Sequence, residues 1–268
     1  MNVLIITAHP EADSFNSYLA AIAARVFEKQ GSVVNSINLY SENFEPVEGK
    51  IFYPDRQDSV RFDALREQRH HWEKQILPDD VSRHIQLLIN SDLLLLHFPF
   101  WWFGMPAILK GWMDRVFVYG GIYDSRHRHE NGVMKGKRAL LSVTAGAPEN
   151  ACGYNGRHGD MRLMLWPPIH ALHYIGYSML EPYLIHGVRG GLDGIAKIEQ
   201  QKLLDKKVED FENRLTNIHE WPIIPFNRED DFNEDKTLKP EAPEYSPFVR
   251  HDPDSWKKFL ISGSCKPQ

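Results

Sequence analysis

Strand-like and helix-like hydrophobic patterns alternate along the chain. Five short segments have the composition of buried strands: residues 3–7, 33–39, 93–96, 139–144 and 178–184. Continuous apolar runs such as residues 3–7 are typical of strands that are buried on both faces, as in a parallel sheet. Segments with apolar residues three or four positions apart lie between them. This order predicts a doubly wound, five-stranded parallel sheet with helices on both faces.

Capping residues and prolines mark the predicted helices. Asp13 and Ser14 offer N-cap side chains to a first helix that ends before Gly31. A second helix is predicted around residues 81–89. Pro106 stands where a helix accepts its first residue, and the spacing after it predicts an amphipathic helix. A looser pattern over residues 195–215 predicts a final long helix.

A long polar stretch interrupts this alternation at residues 41–78. It exceeds the usual length of a connection, and such insertions often have a functional or partner-facing purpose. A solvated surface segment is the simpler alternative, and both interpretations remain open.

The C-terminal stretch from Trp221 onward is rich in proline, which excludes a regular element. Its aromatic residues make it too apolar for a free tail. They are Trp221, Phe226, Phe248 and Trp256. We therefore predict a first domain over residues 1–218 and an extension over residues 219–268 that packs on the domain or on a partner subunit.

The overall composition limits the classes of partner. With 268 residues, 42% of them hydrophobic, and a net charge of −5, the chain can form a full core but has no basic surface for nucleic acid or anionic membrane. No apolar run reaches the roughly 18 residues that a membrane span needs, and the N-terminus lacks signal-peptide features. Cys152 and Cys265 have no CxxC or metal-ligand spacing. We expect a reduced, cytoplasmic protein that binds a small ligand.

Three loops are expected to form one site. In doubly wound sheets, ligands bind beyond the carboxyl ends of the strands, where neighbouring connections diverge. The loops at this edge are residues 7–16, 98–104 and 144–150. The first leads into a helix N-terminus, which favours an anion such as phosphate. Its candidate side chains are His9, Ser14 and Asn16, although Ser14 could be an ordinary cap and His9 a strand-end histidine.

The second loop carries three neighbouring aromatic residues, Trp101, Trp102 and Phe103. Single aromatic residues usually belong to the core, but these three lie at the ligand end of a strand. They precede Gly104, which lets the backbone approach a ligand closely. Such a wall suits a planar ring with polar edges, held by stacking and by backbone hydrogen bonds.

Other chemistries find little support in the sequence. The chain has neither the glycine-rich dinucleotide fingerprint nor a P-loop, and it has no persuasively spaced catalytic triad or carboxylate pair. His127 and His129 are close together, but no further Cys or His has a spacing that would complete a metal site. We therefore predict no metal site.

Three motifs, in their order and spacing, resemble those of a known family: TAHPEADSFN, FPFWWFGMPAILKGWMDRVF and GRHGDM. Over roughly residues 1–190 the chain resembles the NAD(P)H:quinone oxidoreductases of the DT-diaphorase type, in the flavodoxin-like superfamily, and it looks most like bacterial members. The resemblance implies a non-covalent flavin, FAD with FMN as the alternative, with NAD(P)H as electron donor and a quinone or other flat acceptor. It also implies a homodimer with active sites at the subunit interface.

Position by position, the resemblance implies three groups of flavin-binding residues and a substrate pocket. The pyrophosphate region would be held by His9, Ser14, Phe15, Asn16 and Ser17, the isoalloxazine by Pro99, Phe100, Trp101, Trp102 and Phe103, and its pyrimidine edge by Thr144, Ala145, Gly146 and Ala147. The substrate pocket would be lined by Trp102, Phe103, Tyr123 and His158.

In this family a histidine and a tyrosine near the flavin stabilise charge as the hydride arrives. His158, in GRHGDM, matches the histidine, and it is the expected catalytic residue together with Tyr154. The family's tyrosine position holds Cys152 here, while Tyr154 lies two residues further on. Either a shifted loop lets Tyr154 serve, or the role is missing. A phenol or an imidazolium at this place would lower the barrier electrostatically.

The implied reaction is a ping-pong, two-electron hydride transfer from NAD(P)H through the flavin to a quinone. An FMN-dependent azo- or nitroreductase is one alternative, since the same slot accepts many flat acceptors. A flavin-binding ancillary regulator of an ion-efflux system is a second alternative. A flavin-free binding module is the third.

Overall fold

The fold is built on one parallel sheet. The computed structural model describes residues 1–252, so the predictions that involve Trp256 and Cys265 lie outside the described residues. The strands are β1 (Asn2–Thr7), β2 (Val33–Asn38), β3 (Leu93–Pro99), β4 (Arg138–Thr144), β5 (Ser178–Met179) and β6 (Tyr183–Ile185). Their order is β2-β1-β3-β4-β5, with β6 also paired to β4, and every pair is parallel. This is the flavodoxin-like order. The predicted fold class is therefore confirmed.

Helices cover both faces of the sheet. They are α1 (Phe15–Lys29), α2 (Ala64–Glu73), α3 (Asp79–Asn90), α4 (Ala107–Val116), α5 (Met161–Met164), α6 (Trp166–Tyr174) and α7 (Gly194–Thr216). The α1 and α7 helices share a core with Val3 and Ile5 of β1. Leu4 and Ile6 point to the opposite face, because side chains alternate along a strand, and they are also buried. On that face α3 contacts β1 and packs against α4.

The starts of two helices follow the predicted chemistry closely. The Ser14 hydroxyl accepts a hydrogen bond from the Ser17 backbone N–H at 3.1 Å, so the predicted cap of α1 is confirmed. Pro106 is the N-cap of α4 rather than its first residue, and the helix begins at Ala107. This shift by one position is the usual uncertainty at a helix end.

Residues 41–78 are exposed over much of their length, but part of this stretch is packed into the fold. This inserted segment contains α2, where Glu67, Gln68 and His71 are buried. The backbone N–H of Gln57 lies 3.2 Å from both carboxylate oxygens of Glu67, which gives this buried group a hydrogen-bond donor. The α2 part of the inserted segment is therefore packed into the fold.

The fifth strand is not the continuous run predicted over residues 178–184. It is split into β5 and β6, and both segments pair with β4. Between them the Glu181 N–H turns away to donate to Pro222 O at 2.9 Å, and Pro182 has no N–H to offer. A proline at this position is tolerated because the strand lies at the edge of the sheet.

The chain forms two compact units, one over Met1–Ile224 and one that begins at Pro225. The second unit is held by local contacts, among them an isolated bridge between Phe232 and Leu238. The packing of the extension on the domain or on a partner remains a prediction. Within residues 1–252, no helix is long and apolar enough to cross a membrane.

Candidate flavin site

The three predicted loops leave the sheet side by side. In the strand register Thr7 pairs with His97, and Pro99 pairs with Thr144. The loops that follow β1, β3 and β4 therefore begin at neighbouring positions on the carboxyl edge. The strand order reverses between β1 and β3, which is where ligands bind in sheets of this type.

The first loop presents the N-terminus of α1. The Ser14 and Ser17 hydroxyls lie 2.9 Å apart there, and no acidic residue occupies the first turn. His9 lies beside the second loop, with its ring centroid 5.8 Å from that of Trp101. Its Nδ1 accepts a hydrogen bond from the Glu11 N–H at 3.1 Å. The helix N-terminus, two hydroxyls and an imidazole thus lie together at this edge.

The second loop is a tight turn, which we call the aromatic turn (residues 101–104). Trp101 and Gly104 exchange backbone hydrogen bonds of 3.1 and 3.0 Å. Between them Trp102 and Phe103 have φ values of 50° and 61°, in the left-handed region. That conformation costs roughly 1–2 kcal/mol per non-glycine residue. The Trp102 side chain is nevertheless 96% exposed. The unfavourable backbone conformation is therefore not offset by burial of this apolar ring.

A chain of hydrogen bonds links all three loops. The Asn16 side-chain amide at the start of α1 donates from Nδ2 to Thr144 Oγ1 at 2.9 Å. The Thr144 carbonyl in turn accepts from the Phe100 N–H at 2.7 Å. Asn16 and Thr144 are both buried, and Asn16 Oδ1 has no partner among the described residues. This chain of hydrogen bonds, which we call the brace, fixes the spacing of the loops. It leaves one buried acceptor, Asn16 Oδ1, without a donor among the described residues.

The structure places the two expected catalytic residues differently. His158 lies near the aromatic turn, with its ring centroid 6.5 Å from that of Phe103. Tyr154 is 88% exposed and lines a cavity of about 430 Å³ between β6 and α7, to which no residue of the aromatic turn contributes. Cys152 lies in the same loop, and burial raises the pKa of its thiol. Of the two, only His158 contacts a residue of the aromatic turn.

Tyr123 belongs to a second aromatic group. Its ring centroid lies 5.5 Å from that of Tyr119 and 5.8 Å from that of Tyr174. Burial, and then the neighbouring Tyr174 and Tyr119, raise the pKa of Tyr123. His129 packs edge-on against Tyr174 at 5.0 Å.

The same group contains two histidines whose positions in the sequence do not indicate a contact with His129. They are His170 and His173, one helical turn apart on α6, with ring centroids 6.3 and 5.6 Å from that of His129. Burial, helped by the two neighbouring imidazoles, lowers the pKa of His173 to about 4. The residues that the structure describes include no His, Cys, Asp or Glu group arranged to hold a metal ion.

The sequence did not predict the space that lies beside the third loop. A cavity of about 380 Å³ adjoins the third loop at Gly146 and Pro148, and it is also lined by His186, Leu203 and Lys207. Burial lowers the pKa of His186, which follows β6 directly. The sequence does indicate that the loop after the fifth strand lies nearby, because it leaves the same carboxyl edge of the sheet as the other three loops.

Comparison with known proteins places the chain in a family. Residues 1–213 match the family described as "Flavodoxin-like fold". The chain is 38% identical to the ribosyldihydronicotinamide dehydrogenase [quinone] of Mus musculus over 232 residues, which is 84% of this chain and 94% of the relative. It is 35% identical to the NAD(P)H dehydrogenase [quinone] 1 of Cavia porcellus over 187 residues, 69% of this chain and 68% of the relative.

A solved structure shows the same architecture over most of the chain. A Klebsiella pneumoniae protein whose name assigns it to the quinone reductases superimposes with a TM-score of 0.80 at 28% identity, covering 90% of this chain and 95% of that one. The chain belongs to the flavodoxin-like family that includes the NAD(P)H dehydrogenases [quinone].

Proposed function

We propose that this protein is a flavin-dependent NAD(P)H:quinone oxidoreductase. The observation that carries the proposal is the aromatic turn. Two bulky residues are held at positive φ with a ring in solvent, at the edge of the sheet where ligands bind. Strain of this kind persists where it serves a ligand. The relatives named for quinone dehydrogenase activity make a flat redox ligand the natural occupant.

The residues at this edge fit a flavin. The N-terminus of α1, with Ser14 and Ser17, offers donors to a phosphate. The aromatic turn offers an apolar wall to a planar ring. The backbone N–H groups of Gly146 and Ala147, which have no hydrogen-bond partner among the described residues, offer donors to its edge. The open Asn16 Oδ1 is an acceptor, so it suits a hydroxyl of the ligand or a bound water rather than a phosphate oxygen. Phosphate contacts are therefore assigned to the hydroxyls and backbone of this loop.

FAD is the form of flavin that we propose. The cavity beside Gly146 has a volume of about 380 Å³, which is in the range of small-molecule sites. Leu203 and Pro148 supply apolar surface there, and Arg189 and Gln200 supply hydrogen-bonding groups. Such a lining suits the adenosine end of the dinucleotide.

When bound, the flavin would accept a hydride from NAD(P)H and pass two electrons to the quinone, donor and acceptor taking the same place in turn. The chain's own residues bind and orient these molecules. Trp102 and Phe103 provide the flat contact surface and exclude water from it. His158, beside Phe103, can donate a hydrogen bond to negative charge that develops during transfer. Tyr154 would have to move out of its present groove to take part.

We also propose a homodimer that completes the pocket. The ring contacts of Tyr123 run to Tyr119 and Tyr174 rather than to the aromatic turn. A pocket wall that includes Tyr123 is then best supplied by the second copy. Light scattering of the purified protein should give twice the mass of the chain, and a monomer at micromolar concentration would argue against this arrangement.

The visible absorption spectrum tests the main proposal. Purified protein, loaded with flavin if necessary, is treated anaerobically with NADH or NADPH and then with a benzoquinone. Flavin bands should bleach with the nicotinamide and return with the quinone, and mass analysis of the released flavin should identify FAD. Bands that do not bleach would contradict the oxidoreductase proposal. No binding of either FAD or FMN would overturn the site itself.

A further inference from the structure

The inserted segment has a direct contact with the turn that carries Tyr119. Gln68 of α2 is only 3% exposed and uses both ends of its amide. Its Nε2 donates to the Asp114 carbonyl at 3.2 Å, and its Oε1 accepts from the Tyr119 N–H at 3.1 Å. A carbonyl can only accept and an N–H can only donate, so these two partners determine the orientation of the amide. Gln68 therefore forms a clamp of two hydrogen bonds, one to the last turn of α4 and one to Tyr119 just beyond that helix.

Two further residues of α2 press on the same turn. The Arg69 guanidinium lies 4.4 Å from the ring centroid of Tyr119, within cation–π range. A Cβ at Gly121 would lie 2.7 Å from a ring carbon of Trp72, so a side chain there would collide with the indole. Gly120 has φ +89°, a conformation that favours glycine. Both glycines thus allow α2 to approach the backbone of the turn.

The clamped turn controls where Tyr123 lies. The Gly120 N–H donates to the Tyr123 carbonyl at 2.8 Å, and the rings of Tyr119 and Tyr123 pack edge-on at 5.5 Å. Tyr123 in turn contacts Tyr174 of α6. A displacement of the Tyr119 backbone would therefore move the whole group of tyrosines.

The inserted segment is itself firmly held against α4. Arg115 of α4 is 2% exposed, and its Nη1 donates to the Glu45 carbonyl at 2.7 Å. Its guanidinium also lies 3.7 Å from the ring centroid of Phe52. A Cβ at Gly111 would lie within 2.2 Å of the Pro46 carbonyl oxygen, so the two backbones are in direct contact. The inserted segment that carries Gln68 is thus packed directly against α4.

We infer that Gln68 is a positioning residue for Tyr119 and Tyr123, and that the inserted segment thereby sets the selectivity of the pocket for its acceptor. The inference rests on the proposed function and on the proposed place of Tyr123 in the substrate pocket. Gln68 reaches the pocket only through the tyrosines, and it contacts none of the three flavin-binding loops in the described hydrogen bonds. Its loss should therefore alter substrate binding and leave flavin binding unchanged.

The test replaces Gln68 by leucine, which keeps the size and removes both hydrogen bonds. The matched control is Leu65→Gln, a substitution on the exposed side of the same helix. Steady-state kinetics are measured with 1,4-benzoquinone and with the wider 2-methyl-1,4-naphthoquinone, and the flavin dissociation constant is measured by fluorescence titration. For Gln68→Leu the KM of the wider quinone should rise about fivefold, the equivalent of one net hydrogen bond, at nearly constant kcat. The KM of benzoquinone should change less, and Leu65→Gln should match the wild type.

Two outcomes would overturn the inference. One is a flavin-loaded Gln68→Leu protein with unchanged KM values for both quinones. The other is a loss of flavin affinity in parallel with activity, because that would show a general structural role. If Gln68→Leu does not fold, Arg69→Met removes the cation from the half-buried face of Tyr119 and is expected to change the ratio of the two KM values. Failure of the proposed function would be recognised separately, since the wild-type flavin would then not bleach with NAD(P)H.

Discussion

His97 provides a quantitative test of how the core responds to pH. It lies in β3, its side chain is fully buried, and neither ring nitrogen has a hydrogen-bond partner in the described part of the chain. Its imidazole packs edge-on against Phe211 at 5.9 Å. Burial lowers the pKa of His97 from 6.5 to about 3. The folded protein therefore holds this group neutral throughout the range in which the unfolded chain takes up a proton.

The sign and size of the effect follow from proton linkage. Because the folded-state pKa is depressed, the contribution to stability is complete above the unfolded pKa and is lost as the pH falls below it. Between pH 7 and pH 5 an unfolded histidine of pKa 6.5 goes from about one-quarter protonated to almost fully protonated, which costs the folded state about 2 kcal/mol. This figure requires only that the folded pKa is well below 5.

The substitution His97→Gln removes the titration and retains a neutral polar side chain of similar length. Urea unfolding of both proteins at pH 7 and pH 5 gives the change in the free energy of unfolding for each. We expect the wild type to lose about 2 kcal/mol more than the variant between the two pH values. His84, His173 and His186 also have lowered pKa values, but they are present in both proteins and cancel in the difference. Equal pH dependence in the two proteins would show that the folded state does not hold His97 neutral.

Three further substitutions, two of them paired with a comparison variant, test the stability and ligand binding of the site and of the inserted segment. Trp102→Gly replaces a tryptophan held at positive φ by a residue that adopts this conformation freely, so the free energy of unfolding should rise by up to about 1 kcal/mol in thermal unfolding. The KM for a quinone should rise as well. A lower free energy of unfolding would show that the turn is not strained. Asn16→Ala breaks the buried bond to Thr144 and should cost about 1–3 kcal/mol in urea unfolding and weaken flavin binding in a fluorescence titration. Ser14→Ala is its comparison, expected to cost about 1 kcal/mol as a lost cap. Gly111→Ala places a Cβ 2.2 Å from the Pro46 carbonyl oxygen and should destabilise by about 1–3 kcal/mol or more, whereas Gly49→Ala, with open space around it, should be close to neutral by the same assay.

Much of the fold could be predicted from the sequence because its signals are local. Continuous apolar runs such as residues 3–7 and a capping serine at Ser14 report directly on a buried strand and on a helix start. The common edge of the three loops followed from the parallel order of the strands. The split of the fifth strand was missed because it depends on Pro222, which lies 41 residues further along and whose carbonyl accepts a hydrogen bond from the Glu181 N–H.

The inserted segment could not be predicted for a different physical reason. Glu67, Gln68 and His71 are polar and predict exposure, yet tertiary partners bury all three. The Glu67 carboxylate accepts a hydrogen bond from the Gln57 backbone N–H, and the Gln68 amide is hydrogen-bonded to the backbones of Asp114 and Tyr119. Nothing in the spacing of α2 indicates partners that lie 46 and 51 residues away. The grouping of His129 with His170 and His173 was missed for the same reason.

The aromatic turn is the clearest place where local preference and observed structure disagree. In residues 1–252, the non-glycine residues with positive φ are Asn43, Gln75, Trp102, Phe103, His129 and Lys236. Only Trp102 and Phe103 are adjacent, apolar and exposed, so neither burial nor a polar turn explains their conformation. The buried, unpartnered Asn16 Oδ1 lies in the brace that joins the neighbouring loops. Two independent departures from local stability thus coincide at one edge of the sheet, and a bound ligand would offset both by covering the rings and supplying a donor.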